Sequence, residues 1–131
     1  MRKTIYKHLR LVTISWALII FILCATPGQY VPSAEWLELI SFDKFVHAFI
    51  YFVMTSLLFL MTIRYKKSAA VLVSYCLLSF AYGIVIEVLQ AFVFSHRSAD
   101  YLDVIANSTG CVISVMCFKR IRLFFSGTEV I

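Results

Sequence analysis

The chain has 131 residues, of which 62% are hydrophobic and 15% charged, and its formal net charge is +5. Soluble proteins carry about 25% charged residues, and a chain this short cannot bury so much apolar surface in water. The composition excludes a soluble domain and predicts one integral membrane domain over residues 1–131. Nucleic-acid binding is disfavoured, because the basic residues lie directly beside apolar runs.

Four apolar runs approach the roughly 20 residues that a helix needs to span hydrocarbon. They predict an all-α, four-helix transmembrane bundle with helices at about 11–26, 45–63, 69–94 and 102–118. The first and last runs are short, and flanking Arg10 and Lys119 can extend them by snorkelling. A basic start before an apolar run also fits a signal peptide, but no A-x-A pattern ends the run, so an uncleaved first helix is favoured.

The distribution of Lys and Arg predicts how the bundle is oriented, because cytoplasmic flanks carry more of both residues. Ten of the twelve basic residues lie in the N-terminal segment, the second connection and the C-terminal tail; only Lys44 and Arg97 fall on the other side. Both termini are therefore expected in the cytoplasm.

The first external connection has room for structure of its own. Within residues 33–40, an apolar face containing Trp36, Leu37 and Ile40 predicts a short amphipathic helix on the membrane surface. An irregular loop is the alternative.

Polar residues recur at helical spacing along one face of each of the last three predicted helices. Helix by helix, these positions are Asp43, His47 and Tyr51 with Lys44 beside the first, then Gly83, Glu87 and Gln90, then Asp100, Asp103, Asn107 and Gly110, with Arg97 in the preceding turn. The predicted orientation places them all in the outer half of the membrane. The inner half has no ionisable carboxylate, His, Lys or Arg, so a pocket open to the outside is favoured over a path across the membrane.

A purely structural explanation is open, because polar side chains also hydrogen-bond membrane helices together. For the neutral members of the set, structural and functional roles are equally favoured. Four ionisable groups in one layer instead favour a function, since charged groups in hydrocarbon are costly. These four are His47, Glu87, Arg97 and Asp103.

The three polar blocks together resemble the VanZ-like family. The blocks are Asp43-Lys44-x-x-His47-x-x-x-Tyr51, Gly83-x-x-x-Glu87-x-x-Gln90 and Arg97-x-x-Asp100-x-x-Asp103-x-x-x-Asn107-x-x-Gly110. The resemblance spans residues 43–115 and departs from the family pattern at His96 and Ser114. It implies a protein of the bacterial inner membrane, and the family's namesake is associated with low-level teicoplanin resistance without a defined biochemical activity.

The first functional hypothesis is a binding module for an amphiphilic envelope molecule. Lys44 and Arg97 would hold an anionic headgroup by charge-assisted hydrogen bonds. Membrane lipids, a lipid-linked envelope precursor and a lipophilic glycopeptide are the expected partners. The candidate ligand-binding residues are Asp43, Lys44, Tyr51, Gln90, Arg97, Asp100 and Asn107.

The second hypothesis is an enzyme acting on such an amphiphile. His47 or Glu87 would serve as general base, with Asp103 orienting the histidine. A purely structural membrane partner is the third hypothesis. No complete set of nucleophile, base and orienting group is recognisable, which favours binding.

No cofactor or metal is predicted. A hard divalent ion on Asp43, Glu87, Asp100 and Asp103 is compatible with their chemistry, but the spacing does not demand one. The four cysteines lie inside apolar runs without CxxC spacing and are expected to pack as small apolar residues. The oligomeric state is not predicted.

Overall fold

The computed structural model describes residues 2–27, 42–63, 69–94 and 98–126. These residues form four helices, α1 (Arg2–Ala25), α2 (Phe42–Ile63), α3 (Ala69–Phe92) and α4 (Tyr101–Ser126), and no strand. Each helix is long and apolar enough to cross a membrane, which confirms the predicted all-helical membrane fold. The surface helix predicted at 33–40 lies outside the described residues, and the cytoplasmic placement of both termini stays a prediction.

The helices differ from their predicted bounds mainly at the two ends of the chain. Helix α1 begins at Arg2 rather than at residue 11, and α4 continues to Ser126 rather than ending at 118. The apolar runs mark only the part of a helix that suits hydrocarbon, whereas backbone hydrogen bonding continues into the polar flanks. Helix α3 ends at Phe92, two residues before its predicted end. Beyond it, the N–H groups of Val93 and Phe94 both donate to the Leu89 carbonyl.

Helix α2 is the central element and contacts the other three helices. Its closest neighbour is α4, and Gly110 shows why. A Cβ atom at Gly110 would lie 2.1 Å from the carbonyl oxygen of Ala48 and 2.9 Å from the backbone nitrogen of Phe52. Only a residue without a side chain permits this approach of two backbones, as is common between membrane helices.

Helix α1 is attached to the bundle through side-chain bonds to backbone carbonyls. The indole Nε1 of Trp16 donates to the carbonyl of Ile50 on α2 at 3.0 Å. The hydroxyl of Tyr82 on α3 donates to the carbonyl of Ala17 at 2.7 Å. Both donors are amphipathic aromatic side chains that need a partner when they are buried.

Away from the predicted polar stripes, the bundle contains a small hydroxyl cluster. Thr55 on α2 donates to the hydroxyl of Ser79 on α3 at 2.9 Å, and its oxygen lies 3.3 Å from the Cys111 sulfur on α4. Ser56 and Ser114 join α2 to α4 at 2.9 Å. None of the four cysteines forms a disulfide, and Cys111 takes part in a polar contact as well as in packing.

Candidate functional site

The ammonium of Lys44 is the centre of the polar end of the bundle, where α2 and α4 begin. Its Nζ lies 2.6 Å from Asp100 Oδ2 and 3.1 Å from Asp43 Oδ2, and it also contacts Asp103 Oδ1. Asp43 and Asp103 lie in the first turns of α2 and α4, where the helix dipole favours carboxylates. The structure thus brings together four of the residues predicted from the sequence.

Asp100 lies just before α4 and is partly exposed. Its Oδ1 accepts the N–H of Leu102 at 2.8 Å while its Oδ2 accepts Lys44. The hydrogen bond from the Lys44 ammonium, followed by that from the Leu102 N–H, lowers the pKa of this carboxyl below its ordinary value.

His47 is buried one turn further along α2. Its Nδ1 lies 3.1 Å from the side-chain oxygen Oδ1 of Asn107. Its Nε2 lies 3.7 Å from both Asp43 Oδ1 and Asp103 Oδ2. An amide oxygen can only accept a hydrogen bond, so Nδ1 carries the proton in this pair, and Nε2 of a neutral ring presents a lone pair to the two carboxylates.

Glu87 joins α3 to this cluster. The residue is 4% exposed, and its Oε2 accepts the backbone N–H of Asp100 at 3.3 Å. It interacts electrostatically with Asp103, His47 and Lys44. A carboxylate from the third helix therefore reaches the same polar layer, as the stripe of polar residues on α3 predicts.

Gly83 lies where Tyr51 and Asn107 meet α3. A Cβ atom at this glycine would lie 3.2 Å from the Tyr51 ring and 3.3 Å from Asn107 Nδ2. These are tight contacts with side chains rather than with backbone. The glycine therefore keeps room beside two polar side chains.

Gln90 extends the site to α1. Its Nε2 donates to the backbone carbonyl of Cys24 at 3.3 Å. None of the ten site residues predicted from the sequence lies on α1. Every residue has a backbone carbonyl, so residue type does not show which carbonyl accepts a side-chain hydrogen bond. No signal in the sequence could therefore have identified Cys24.

Four buried polar atoms of the site have no hydrogen-bond partner among the described residues. They are Tyr51 Oη, Glu87 Oε1, Gln90 Oε1 and Asn107 Nδ2. Native proteins satisfy the large majority of their buried polar atoms, because burying one without a partner costs on the order of 1–3 kcal/mol. The set contains two acceptors, one donor and a hydroxyl that can do both.

Nine of the ten predicted site residues lie within the described part of the chain, and Arg97 lies outside that part. Direct contacts join seven of the nine, which are Asp43, Lys44, His47, Glu87, Asp100, Asp103 and Asn107. Tyr51 lies beside Gly83, and Gln90 bonds to α1. Oxygen and nitrogen atoms of Asp43, His47 and Asp103 come within 4.8 Å of one another, a spacing that a metal ion can bridge. This set differs from the four carboxylates considered in the sequence analysis. Asp100 uses both oxygens for Lys44 and Leu102, and His47 contributes instead.

Comparison with known proteins places the chain in a family. A family model described as VanZ/LLP1 matches residues 4–125, which cover nearly the whole chain and all three polar blocks. No curated protein and no solved structure matches the chain. The chain is a multi-pass membrane protein that belongs to the VanZ/LLP1 family.

Proposed function

We propose that this protein binds an amphiphilic molecule of the bacterial cell envelope, such as a lipid-linked precursor or a lipophilic glycopeptide, at the outer face of the cytoplasmic membrane. Four apolar helices and the family match support a membrane setting. The predicted orientation turns the polar end of the bundle outward. The association of the family's namesake with teicoplanin resistance supports a ligand of this class.

The observation that carries the proposal is the set of buried polar atoms without partners. Tyr51, Glu87, Gln90 and Asn107 come from three different helices. A purely structural network would gain most by pairing these groups with each other. Unused donors and acceptors in an apolar bundle are instead suited to a polar group that arrives with a ligand.

The charges of the site indicate which polar group would fit. Lys44 already contacts three aspartates, so an anionic headgroup would have to displace them. This argues against the headgroup role predicted for Lys44 from the sequence. Hydroxyl or ammonium groups of an amphiphile would meet the free acceptors of Glu87 and Gln90. Arg97 is the remaining candidate for an anionic part of the ligand.

An enzyme acting on the same amphiphile is the second candidate, and the orientation of His47 supports it. The ring Nδ1 is hydrogen-bonded to Asn107 Oδ1, and the ring Nε2 faces Asp43 and Asp103. A histidine held at one nitrogen with a lone pair on the other is suited to act as a general base. Loss of His47 would then abolish turnover while ligand binding persists.

Teicoplanin tolerance of a sensitised bacterial host tests the proposal in cells. We expect the wild-type chain to raise tolerance, and Glu87→Gln and His47→Ala to lower it at equal membrane abundance. Tyr75→Phe, which removes a hydroxyl from the other end of α3, serves as the control and should behave as wild type. Wild-type tolerance in both site variants would contradict the proposal for this phenotype. Defects that merely follow protein abundance would indicate a structural role.

A further inference from the structure

The aspartates and His47 at the beginning of α2 and α4 have a geometry that the proposed function does not require. We propose that Asp43, His47 and Asp103 bind one divalent transition-metal ion, of the class of Zn²⁺ or Mn²⁺, through Asp43 Oδ1, His47 Nε2 and Asp103 Oδ2. One imidazole and two carboxylates form a mixed nitrogen and oxygen ligand set that suits such ions. This inference does not depend on the identity of any amphiphile.

The distances fit bridging by a metal better than a direct hydrogen bond. His47 Nε2 lies 3.7 Å from each carboxylate oxygen, which is longer than the 2.7–3.2 Å of an N–H···O bond. If an ion lies about 2.1 Å from each ligand atom, the angle at the ion between Nε2 and either carboxylate oxygen is roughly 120°. The Asp43 side chain is 65% exposed, so it can rotate to complete the ligand set.

The electrostatics also favour positive charge at this point. With Asn107 accepting from Nδ1, the Nε2 lone pair of a neutral His47 would face two carboxylate oxygens. That arrangement is repulsive unless a metal ion, or a proton on Nε2, places positive charge between the three atoms. Lys44 does not supply it there, because Lys44 contacts Asp43 Oδ2 and Asp103 Oδ1, the opposite oxygens of the same carboxylates.

Lys44 and Asn107 have the roles of positioning residues in this site. Metal-binding histidines usually donate their second ring N–H to an oxygen acceptor, and ligand carboxylates are themselves hydrogen-bonded. Asn107 Oδ1 provides the first contact and Lys44 provides the second. Three aspartates around one ammonium leave two negative charges uncompensated among the groups in direct contact, which a divalent ion would balance.

The test is a metal titration of the full chain in lipid nanodiscs, without any amphiphile present. After chelator treatment, Zn²⁺ or Mn²⁺ is added and bound metal is measured by mass spectrometry after desalting. We expect one ion per chain for the wild type and loss of that ion in His47→Ala and Asp43→Asn. Asn107→Ala should weaken affinity by roughly 10- to 100-fold.

One control variant and one exposed site variant make the outcome interpretable. His8→Ala removes an exposed histidine on α1 and should leave the stoichiometry unchanged. Asp43→Asn alters an exposed side chain, so it tests ligation even if His47→Ala does not fold. The inference is overturned if the wild type binds no more metal than Asp43→Asn, or if His8→Ala loses as much. Amphiphile binding is measured on separate aliquots of the same preparations and shows independently whether the proposed function holds.

Discussion

His47 on α2 and Asn107 on α4 form a buried pair, with 3.1 Å between Nδ1 and Oδ1. The pair joins two helices whose backbones already touch at Gly110. It directs the second ring nitrogen of His47 toward two aspartates and leaves Asn107 Nδ2 beside Gly83. One contact therefore contributes both to helix packing and to the arrangement of the site.

The two glycines of the polar stripes should respond differently to alanine. Gly110→Ala places a methyl group 2.1 Å from a backbone oxygen of α2, so the helices must separate, at a cost of 1–3 kcal/mol or more. At Gly83 the added atom meets the side chains of Tyr51 and Asn107 at 3.2–3.3 Å. We therefore expect Gly83→Ala to fold but to bind ligand more weakly. Thermal unfolding and ligand titration of both variants check this, and equal stability losses would contradict it.

Removing the ammonium of Lys44 should destabilise the bundle. Lys44→Met leaves Asp103, whose side chain is 9% exposed, without a cation. Breaking a fully buried pair costs about 3–5 kcal/mol. Lys44 is 26% exposed, so we expect a smaller loss, of about 2 kcal/mol, in the free energy of unfolding in mild detergent.

The exposed Lys119 near the end of α4 gives the matched control. Lys119→Met should change stability by less than about 0.5 kcal/mol. Adding Asp103→Asn to Lys44→Met should restore part of the loss, because the buried charge is removed. A Lys44→Met protein as stable as the Lys119→Met control would show that the ion pairs contribute little.

Residue type and spacing predicted the helices and the faces on which the site residues lie. The spacing of Asp43 and His47, and of Asp103 and Asn107, placed each pair on one helical face, and the structure brings those faces together. Apolar length likewise predicted four spans. Which atoms pair was not predictable. The contacts of Lys44 with Asp100 and Asp103 depend on how α2 and α4 pack, and no local pattern encodes that packing.

The hydroxyl cluster was also missed, for a different reason. Thr55 and Ser79 are nearly neutral in hydropathy, and a hydroxyl in a membrane helix can always bond to its own backbone, as Ser74 and Thr109 do. Residue type alone therefore does not show that a hydroxyl faces another helix. Only the packing of three helices reveals that Thr55 contacts Ser79.

Loss of the Thr55 hydroxyl should affect stability and leave the polar site intact. Polar contacts between membrane helices contribute about 0.6 kcal/mol on average and up to about 1.7, so we expect Thr55→Val to lower the free energy of unfolding within that range. Thr109→Val, at an exposed position, is the control. Reduced ligand binding by Thr55→Val at unchanged stability would contradict this division of roles.

The stability of the protein should fall in acid partly because of Asp100. Its pKa is lowered in the folded chain by the hydrogen bond from Lys44. This stabilisation is present above the unfolded-state pKa of about 3.9 and is lost as the pH falls through the lower folded-state pKa. The difference in melting temperature between wild type and Asp100→Asn should therefore vanish in strong acid. In a Lys44→Met background the difference should be small at every pH, and a large one at neutral pH would contradict the assignment.

The central claim is that unpaired polar atoms in the bundle bind an amphiphile, and a direct binding titration tests it. Fluorescent teicoplanin and a labelled lipid-linked precursor are titrated against the protein in nanodiscs, with Tyr51→Phe, Glu87→Gln and the control Tyr75→Phe. Losing one buried hydrogen bond of about 1–3 kcal/mol raises Kd by roughly 5- to 150-fold. We expect saturable binding of at least one probe by the wild type and the control, weakened to this extent in both site variants. Equal affinity in all four proteins, or no saturable binding of either probe by the wild type, would contradict the claim.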